Sequence, residues 1–259
     1  MKDKIITGIN DLATDQGIKI LLAVESGSRA WGFASPDSDW DVKFVYSRPL
    51  SWYLSVHERR DVIESPITED LLDYSGWDVR KMLYQIHRGN PALFEWFNSP
   101  ITYYVDTSFL SAAKNLMGKY FNPRAAIYHY LHMASGNYRS YLKSDLVRLK
   151  KYFYVLRPLL ACRWIERHHT MPPTEFEALL VDEKLDSKST FPFAAVDDLL
   201  HKKKETKELG ESLRIDIINR WLETKIEYFS DLARTASKVT SRPDDLDEYF
   251  YQLVRGSNK

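Results

Sequence analysis

Gly27 and Ser28 close an apolar run, and Asp39 and Asp41 follow eleven and thirteen residues after Ser28. A glycine lets backbone approach a ligand closely, and the next backbone N–H and hydroxyl can bind phosphate oxygens. Two carboxylates at i and i+2 fall on one face of a strand. Their repulsion is relieved by a cation between them, and an oxygen-only ligand set suits Mg²⁺. The chemistry this combination points to is metal-dependent work on a nucleoside triphosphate. Taken alone, Asp37, Asp39 and Asp41 read as a polar loop entering a strand. The phosphate-gripping turn just upstream favours the chemical reading.

The elements that must position these residues are legible around them. Residues 3–16 carry Ile5, Ile6, Ile9, Leu12 and Ala13 at helical spacing, with Gly17 as a C-terminal cap. Residues 18–24 read as a buried strand, 25–27 as a turn and 28–33 as a short helix. Over 40–46 the residues alternate. Trp40, Val42, Phe44 and Tyr46 share one strand face, and Asp39, Asp41, Lys43 and Val45 the other. Residues 51–56 suggest a short helix, and 62–65 and 71–75 suggest strands joined by a turn. Ser75 and Asp78 are spaced as a capping box ahead of a helix over 77–87. Gly89-Asn90-Pro91 stops that helix, and 92–97 begin another. From about Asn122 strand signals vanish, and helices are expected over 124–135, 138–167, 174–180, 194–209 and 212–237. The predicted fold class is α+β: an N-terminal domain over 1–115, a mixed sheet flanked by helices, followed by a C-terminal α-helical bundle over 116–259.

Composition excludes several function classes. Lys+Arg and Asp+Glu both total 36, so the neutral chain has no global electrostatic grip on nucleic acid, although a local basic face is compatible with it. The single cysteine, Cys162, rules out an intrachain disulfide and a multi-thiolate metal site. Its apolar helical context reads as a buried structural thiol. The N-terminal residues lack the long apolar core of a signal peptide, and no apolar run reaches membrane-spanning length. A cytoplasmic protein without a membrane partner is expected.

Gly27-Ser28, the spacer and Asp39-Trp40-Asp41 resemble the signature of the DNA polymerase β-like nucleotidyltransferase superfamily. Residues 72–81 and 89–96 are similar to the predicted nucleotidyltransferases of the YcgL/RlaP type, and 150–158 resemble them more loosely. The resemblance implies an NMP transfer, in which a hydroxyl attacks the α-phosphorus of an NTP, ATP as the first choice, and pyrophosphate leaves. It implies that Asp39 and Asp41 hold Mg²⁺, two ions in such sites, and that Gly27 and Ser28 hold the triphosphate. Arg29 would add charge beside the leaving group, or is a surface arginine. A third carboxylate from a neighbouring strand helps to deprotonate the acceptor. Asp73, in a strand-like apolar frame, is favoured over Asp78, which reads better as an N-terminal helix residue. Asn90-Pro91 and Glu95-Trp96 also belong to the resemblance, but a helix break and a first helical turn are the favoured explanation of them.

Further along, Lys143, Lys150, Lys151 and Arg157 are candidates to face a nucleotide or an acidic acceptor, with Lys150 and Lys151 placed among the nucleotide-binding residues. Tyr138, Tyr141, Tyr152 and Tyr154 are candidates to stack on a base, or are core. His129 and His132 are spaced to chelate, and His168 and His169 are adjacent, but no third ligand accompanies them. The leading expectation is a Mg²⁺-dependent nucleotidyltransferase whose acceptor is an RNA end, a small molecule as in the aminoglycoside enzymes, or a protein hydroxyl. A nucleotide-binding protein without catalysis is the rival from another class.

Overall fold

The computed structural model describes residues 1–205, 210–235 and 244–256. They form two compact units. The first takes Met1–Ala30, Asp39–Phe121 and the C-terminal helix; the second takes Trp31–Ser38 and the described residues of Asn122–Val239. Position 115 lies inside a helix, Thr107–Tyr120, that belongs wholly to the first unit.

The first unit is a five-stranded mixed sheet with helices. Its strands are β1 (Lys19–Glu25), β2 (Trp40–Ser47), β3 (Val62–Glu64), β4 (Leu72–Asp78) and β5 (Thr102–Val105), in the order β3-β4-β2-β1-β5. The β2–β4 pair is parallel and the other pairs are antiparallel. Helix α1 (Lys2–Gln16) lays Ile5 and Ile9 against Val42, Phe44, Tyr46, Leu72 and Tyr74. Full burial of each such side chain contributes about 1.5–3 kcal/mol. By alternation, this leaves Asp41 and Lys43 on the opposite face of β2.

The remaining helices of this unit are α2 (Gly27–Ala30), α3 (Leu50–Tyr53), α4 (Val79–His87), α5 (Pro91–Phe97) and α6 (Thr107–Tyr120), with α12 (Asp244–Gly256) at the C-terminus. Two expectations are corrected here. Strand β5 was not anticipated, and β4 runs on through Gly76, Trp77 and Asp78 where a capping box was expected to start a helix. The reason lies in the pairing. Phe44 packs against Gly76, where a Cβ would come within 2.1 Å of the ring, and the β2–β4 ladder continues past this pair to Tyr46 and Asp78. Asp78 is itself the N-cap of α4, accepting the Arg80 N–H at 2.8 Å.

The second unit is mainly helical. Helices α7 (Pro123–Tyr141), α8 (Phe153–His168) and α11 (Asp216–Thr235) pack on one another, with α9 (Phe176–Lys184) against α8 and α10 (Phe193–Glu205) against α11. The expected helix over 138–167 is broken at Leu142, and strand β6 (Leu146–Arg148) pairs antiparallel with β7 (Glu211–Leu213) before a 3₁₀ turn, Leu149–Tyr152. Strand signals therefore do not vanish after Asn122. Residues 206–209 and 236–237 of the expected helices lie outside the described residues.

Candidate active site

The expected site residues of the first unit gather at one end of the β1–β2–β4 ladder. Strand β1 ends in Glu25, whose carboxylate is fully buried and accepts the backbone N–H of Asp41 at 2.9 Å and the Tyr103 hydroxyl at 2.5 Å. The Ser26 N–H in turn donates to the Asp41 carbonyl at 2.8 Å. Asp41 is thus held through both of its backbone polar groups. Gly27 follows with φ +61, and a Cβ there would lie 2.0 Å from Asp41 Oδ2. Only glycine accepts both the left-handed conformation and this approach of a carboxylate.

Parallel pairing makes Asp41 and Asp73 register partners. Lys43, two residues along β2 from Asp41, donates to Asp73 Oδ2 at 2.8 Å. Burial raises the Asp41 carboxyl above its ordinary value of 3.8. Lys43 and Arg29 pull it down, and Asp73 and Asp39 push it further up, so all four charges bear on this one carboxylate. Arg29 is anchored by its Nε, which donates to the Asp39 carbonyl at 3.0 Å, and its guanidinium lies 3.7 Å from the Trp40 ring centre. Asp39 is exposed at the entry to β2, and Ser28 is half-buried in α2.

Asp78 sits at the other end of β4. Both of its carboxylate oxygens are engaged, one by the Arg80 N–H and one by the Tyr53 hydroxyl at 2.8 Å. Asn90 caps α5 through the Ala92 N–H at 3.1 Å, and Pro91 occupies the first turn of that helix.

The other candidates belong to the second unit. Lys150 and Lys151 lie in the 3₁₀ turn, and the Lys151 ammonium rests over the rings of Tyr141 and Tyr154, at 4.1 and 5.1 Å. Tyr138 and Tyr152 are buried, with Tyr152 donating to Asn219 at 2.6 Å. Arg157 is buried and holds the Thr174 carbonyl. Burial raises the Cys162 thiol far above its ordinary range. His132 stacks on Tyr128, and His168 bonds Asp182 at 2.8 Å. The spacer also lies in this unit: Phe33 stacks on Phe153, and Ser35 accepts from Lys203 at 3.0 Å.

Sequence reasoning missed Glu25 and Tyr103 and gave Lys43 no role. Lys43 was visible in the alternation of β2. A carboxylate ending an apolar strand was the only signal for Glu25.

Among the described residues, no group of three or more His, Cys, Asp or Glu side chains is arranged to hold a metal ion. The donor chemistry of Asp39, Asp41 and Asp73 nevertheless fits a hard divalent cation, since all their ligand atoms are carboxylate oxygens. Lys43 places a positive charge beside Asp73 and Asp41.

The first unit is thus a mixed sheet with Gly27-Ser28 after β1 and carboxylates on the adjacent parallel strands β2 and β4, within the expected α+β fold class. The family model RlaP, described as the RNA repair pathway DNA polymerase beta family, matches residues 1–252, and the chain belongs to that family. The chain is also 44% identical over 234 residues to the uncharacterized protein YcgL of Bacillus subtilis (strain 168), covering 90% of this chain and 88% of that one. Among solved structures, a nucleotidyltransferase-like protein from Exiguobacterium sibiricum 255-15 aligns at 9% identity. That alignment covers 90% of this chain and 81% of the other, with a TM-score of 0.31, too distant a likeness to carry a functional inference. No helix among the described residues is long and apolar enough to cross a membrane.

Proposed function

We propose that this protein transfers an NMP, AMP as the first choice, from an NTP to a hydroxyl acceptor and releases pyrophosphate, with an RNA end as the acceptor. The observation that carries this reading is the register pairing of Asp41 with Asp73 beside Gly27. Asp39, Asp41 and Asp73 would hold Mg²⁺, two ions in the family pattern. The metal, when bound, stabilises charge on the attacking and leaving oxygens.

The chain's own residues do the rest. Gly27 and Ser28 grip the triphosphate through backbone N–H and hydroxyl, and Arg29 adds positive charge from its fixed position over Trp40. The acceptor oxygen bonds to the α-phosphorus, the bond from that phosphorus to the bridging oxygen breaks, and Asp73 takes up the acceptor proton. Glu25 holds Asp41 in place through its backbone. Lys150 and Lys151 are tested separately, by Lys150→Ala and Lys151→Ala, for weaker nucleotide binding.

The experiment incubates the protein with Mg²⁺ and each α-labelled NTP in turn, and offers RNA, protein and small-molecule acceptors. Label should move to an acceptor, and Asp39→Ala and Asp41→Ala should each abolish transfer while the protein stays folded. A double variant that transfers label as well as the parent would sink the proposal.

A further inference from the structure

Lys43 stands among the site carboxylates, and the transfer chemistry above gives it no step. On β2 it lies two residues from Asp41 and on the same face, by alternation. Its register partner on β4 is Ser75, and its side chain reaches back from there to Asp73. The Nζ donates to Asp73 Oδ2 at 2.8 Å. Both side chains are largely covered, 18% exposed for Lys43 and 28% for Asp73. Solvent therefore screens this pair less than it would one on the open surface.

The same ammonium acts on Asp41. Burial raises the Asp41 carboxyl, and Lys43 is the next largest influence, lowering it, ahead of Asp73, Asp39 and Arg29. Lys43 thus bears on two carboxylates of the proposed metal-binding set. Asp41 is fixed by Glu25 and Ser26 through its backbone. The Asp73 carboxylate has one hydrogen bond among the described residues, and Lys43 makes it.

Asp73 and Asp39 both repel Asp41, and a nearby ammonium relieves that repulsion. A divalent ion relieves it too, and it seeks the same oxygens. The two cations are therefore in competition. A metal that takes Asp73 has to weaken a charge-assisted hydrogen bond and approach a positive charge. Lysine suits such a place. Its ammonium is a compact point charge on a flexible stem and can swing away, whereas the planar fork of an arginine would grip the carboxylate in two places.

We propose that Lys43 competes with the metal ion for Asp73. It holds this carboxylate in the nucleotide-free site and so sets a divalent-ion concentration below which Asp73 stays with the lysine. The proposal rests on the transferase reading only in taking Asp39, Asp41 and Asp73 as the metal carboxylates. Its test needs no turnover.

That test is a Mn²⁺ titration of the nucleotide-free protein, read from the electron paramagnetic resonance signal of free Mn²⁺. It is run at pH about 7.5, well above ordinary carboxylate values. Mn²⁺ takes the oxygen ligands that suit Mg²⁺. The parent should bind weakly and saturably. Lys43→Met keeps the stem and removes the charge, and it should bind at least about tenfold more tightly. Lys43→Gln should do the same, and it serves if the methionine variant folds poorly. Lys43→Arg should bind no more tightly than the parent. In an Asp73→Asn background Lys43→Met should gain less, because the contested carboxylate is gone. A fixed concentration of Mn²⁺ should also raise the melting temperature of Lys43→Met by more than that of the parent.

Equal affinities in the parent and both neutral variants, with binding that Asp41→Asn abolishes, would overturn the proposal and leave the metal site standing. An equal gain from Lys43→Met with and without Asp73 would also overturn it, because Lys43 would then act as a general charge and not on that carboxylate. No Mn²⁺ binding by the parent or any variant refutes the metal carboxylates themselves, and the proposal falls with them. Tighter binding in Lys43→Met, with no label transfer by the parent, refutes the transferase reading and supports the role of Lys43.

Discussion

Gly27→Ala perturbs two things at once, and both can be sized. The added methyl would sit 2.0 Å from Asp41 Oδ2, whereas ordinary contact begins near 3.4 Å. The carboxylate must therefore retreat by 1.4 Å, the difference between those distances. It cannot do so by moving its backbone, because Glu25 holds the Asp41 N–H and Ser26 holds its carbonyl. The side chain has to rotate out of its present position. A misplacement on the order of 1 Å in a reacting constellation can reduce rate about 100-fold, and that is the loss of transfer expected here. Stability should suffer far less. An alanine at φ +61 costs about 1–2 kcal/mol, which for a chain of this size lowers the melting temperature by about 2–8 °C. The assay pairs label transfer from an α-labelled NTP with a thermal melt of the same sample. An alanine variant that melts a few degrees lower but retains parental transfer would refute the view that the Gly27–Asp41 contact positions the carboxylate.

Three other perturbations probe the scaffold. Gly76→Ala places a methyl 2.1 Å from the Phe44 ring, so urea denaturation should show a loss of about 1–3 kcal/mol, part of which Phe44→Leu in the same chain should restore. Glu183→Ala removes a fully buried carboxylate that takes Arg163 Nε at 3.1 Å and Arg167 Nη2 at 2.7 Å; Arg163 keeps Asp186 and Arg167 keeps Asp182, so the loss of these charge-assisted bonds should destabilise the helical unit by about 1.5–3 kcal/mol in the same measurement. Burial lifts the Asp78 carboxyl above 3.8, so its contribution to stability is complete below 3.8 and is lost as pH rises through the raised folded value. The melting temperature of Asp78→Asn relative to the parent should therefore be more favourable at pH about 7 than at pH about 4, and a constant or reversed difference would contradict the burial argument.

Local signals in the sequence were reliable where a helix or strand is governed by its own periodicity. The stripe of Ile5 and Ile9 in α1, the alternation of β2 and the Asn90-Pro91 start of α5 all stand as expected. The reading failed where a distant partner decides. Strand β5 is only four residues long and exists because β1 offers it an edge. Strand β4 outlasts its apparent helix signal because β2 pairs with it as far as Asp78. Strands β6 and β7 are each three residues long and more than sixty residues apart, so neither carries a period strong enough to be noticed alone. The basic residues Lys143, Lys150 and Lys151, expected on one long helix, fall in the interruption between α7 and α8 and form no continuous stripe.

The sequence alone determined that Gly27-Ser28 follow an apolar strand, that Asp41 stands on the polar face of the next strand, and the family to which the chain belongs. These depend on residue type and short spacing, which the chain carries wherever it folds. Tertiary structure alone decided that Asp73 stands beside Asp41 and that Asp78 caps a helix, because parallel register is fixed by pairing across thirty-two residues of chain. It also decided that Glu25 props Asp41 from beneath, and that Gly27 must lack a side chain because a carboxylate fills the space where one would be.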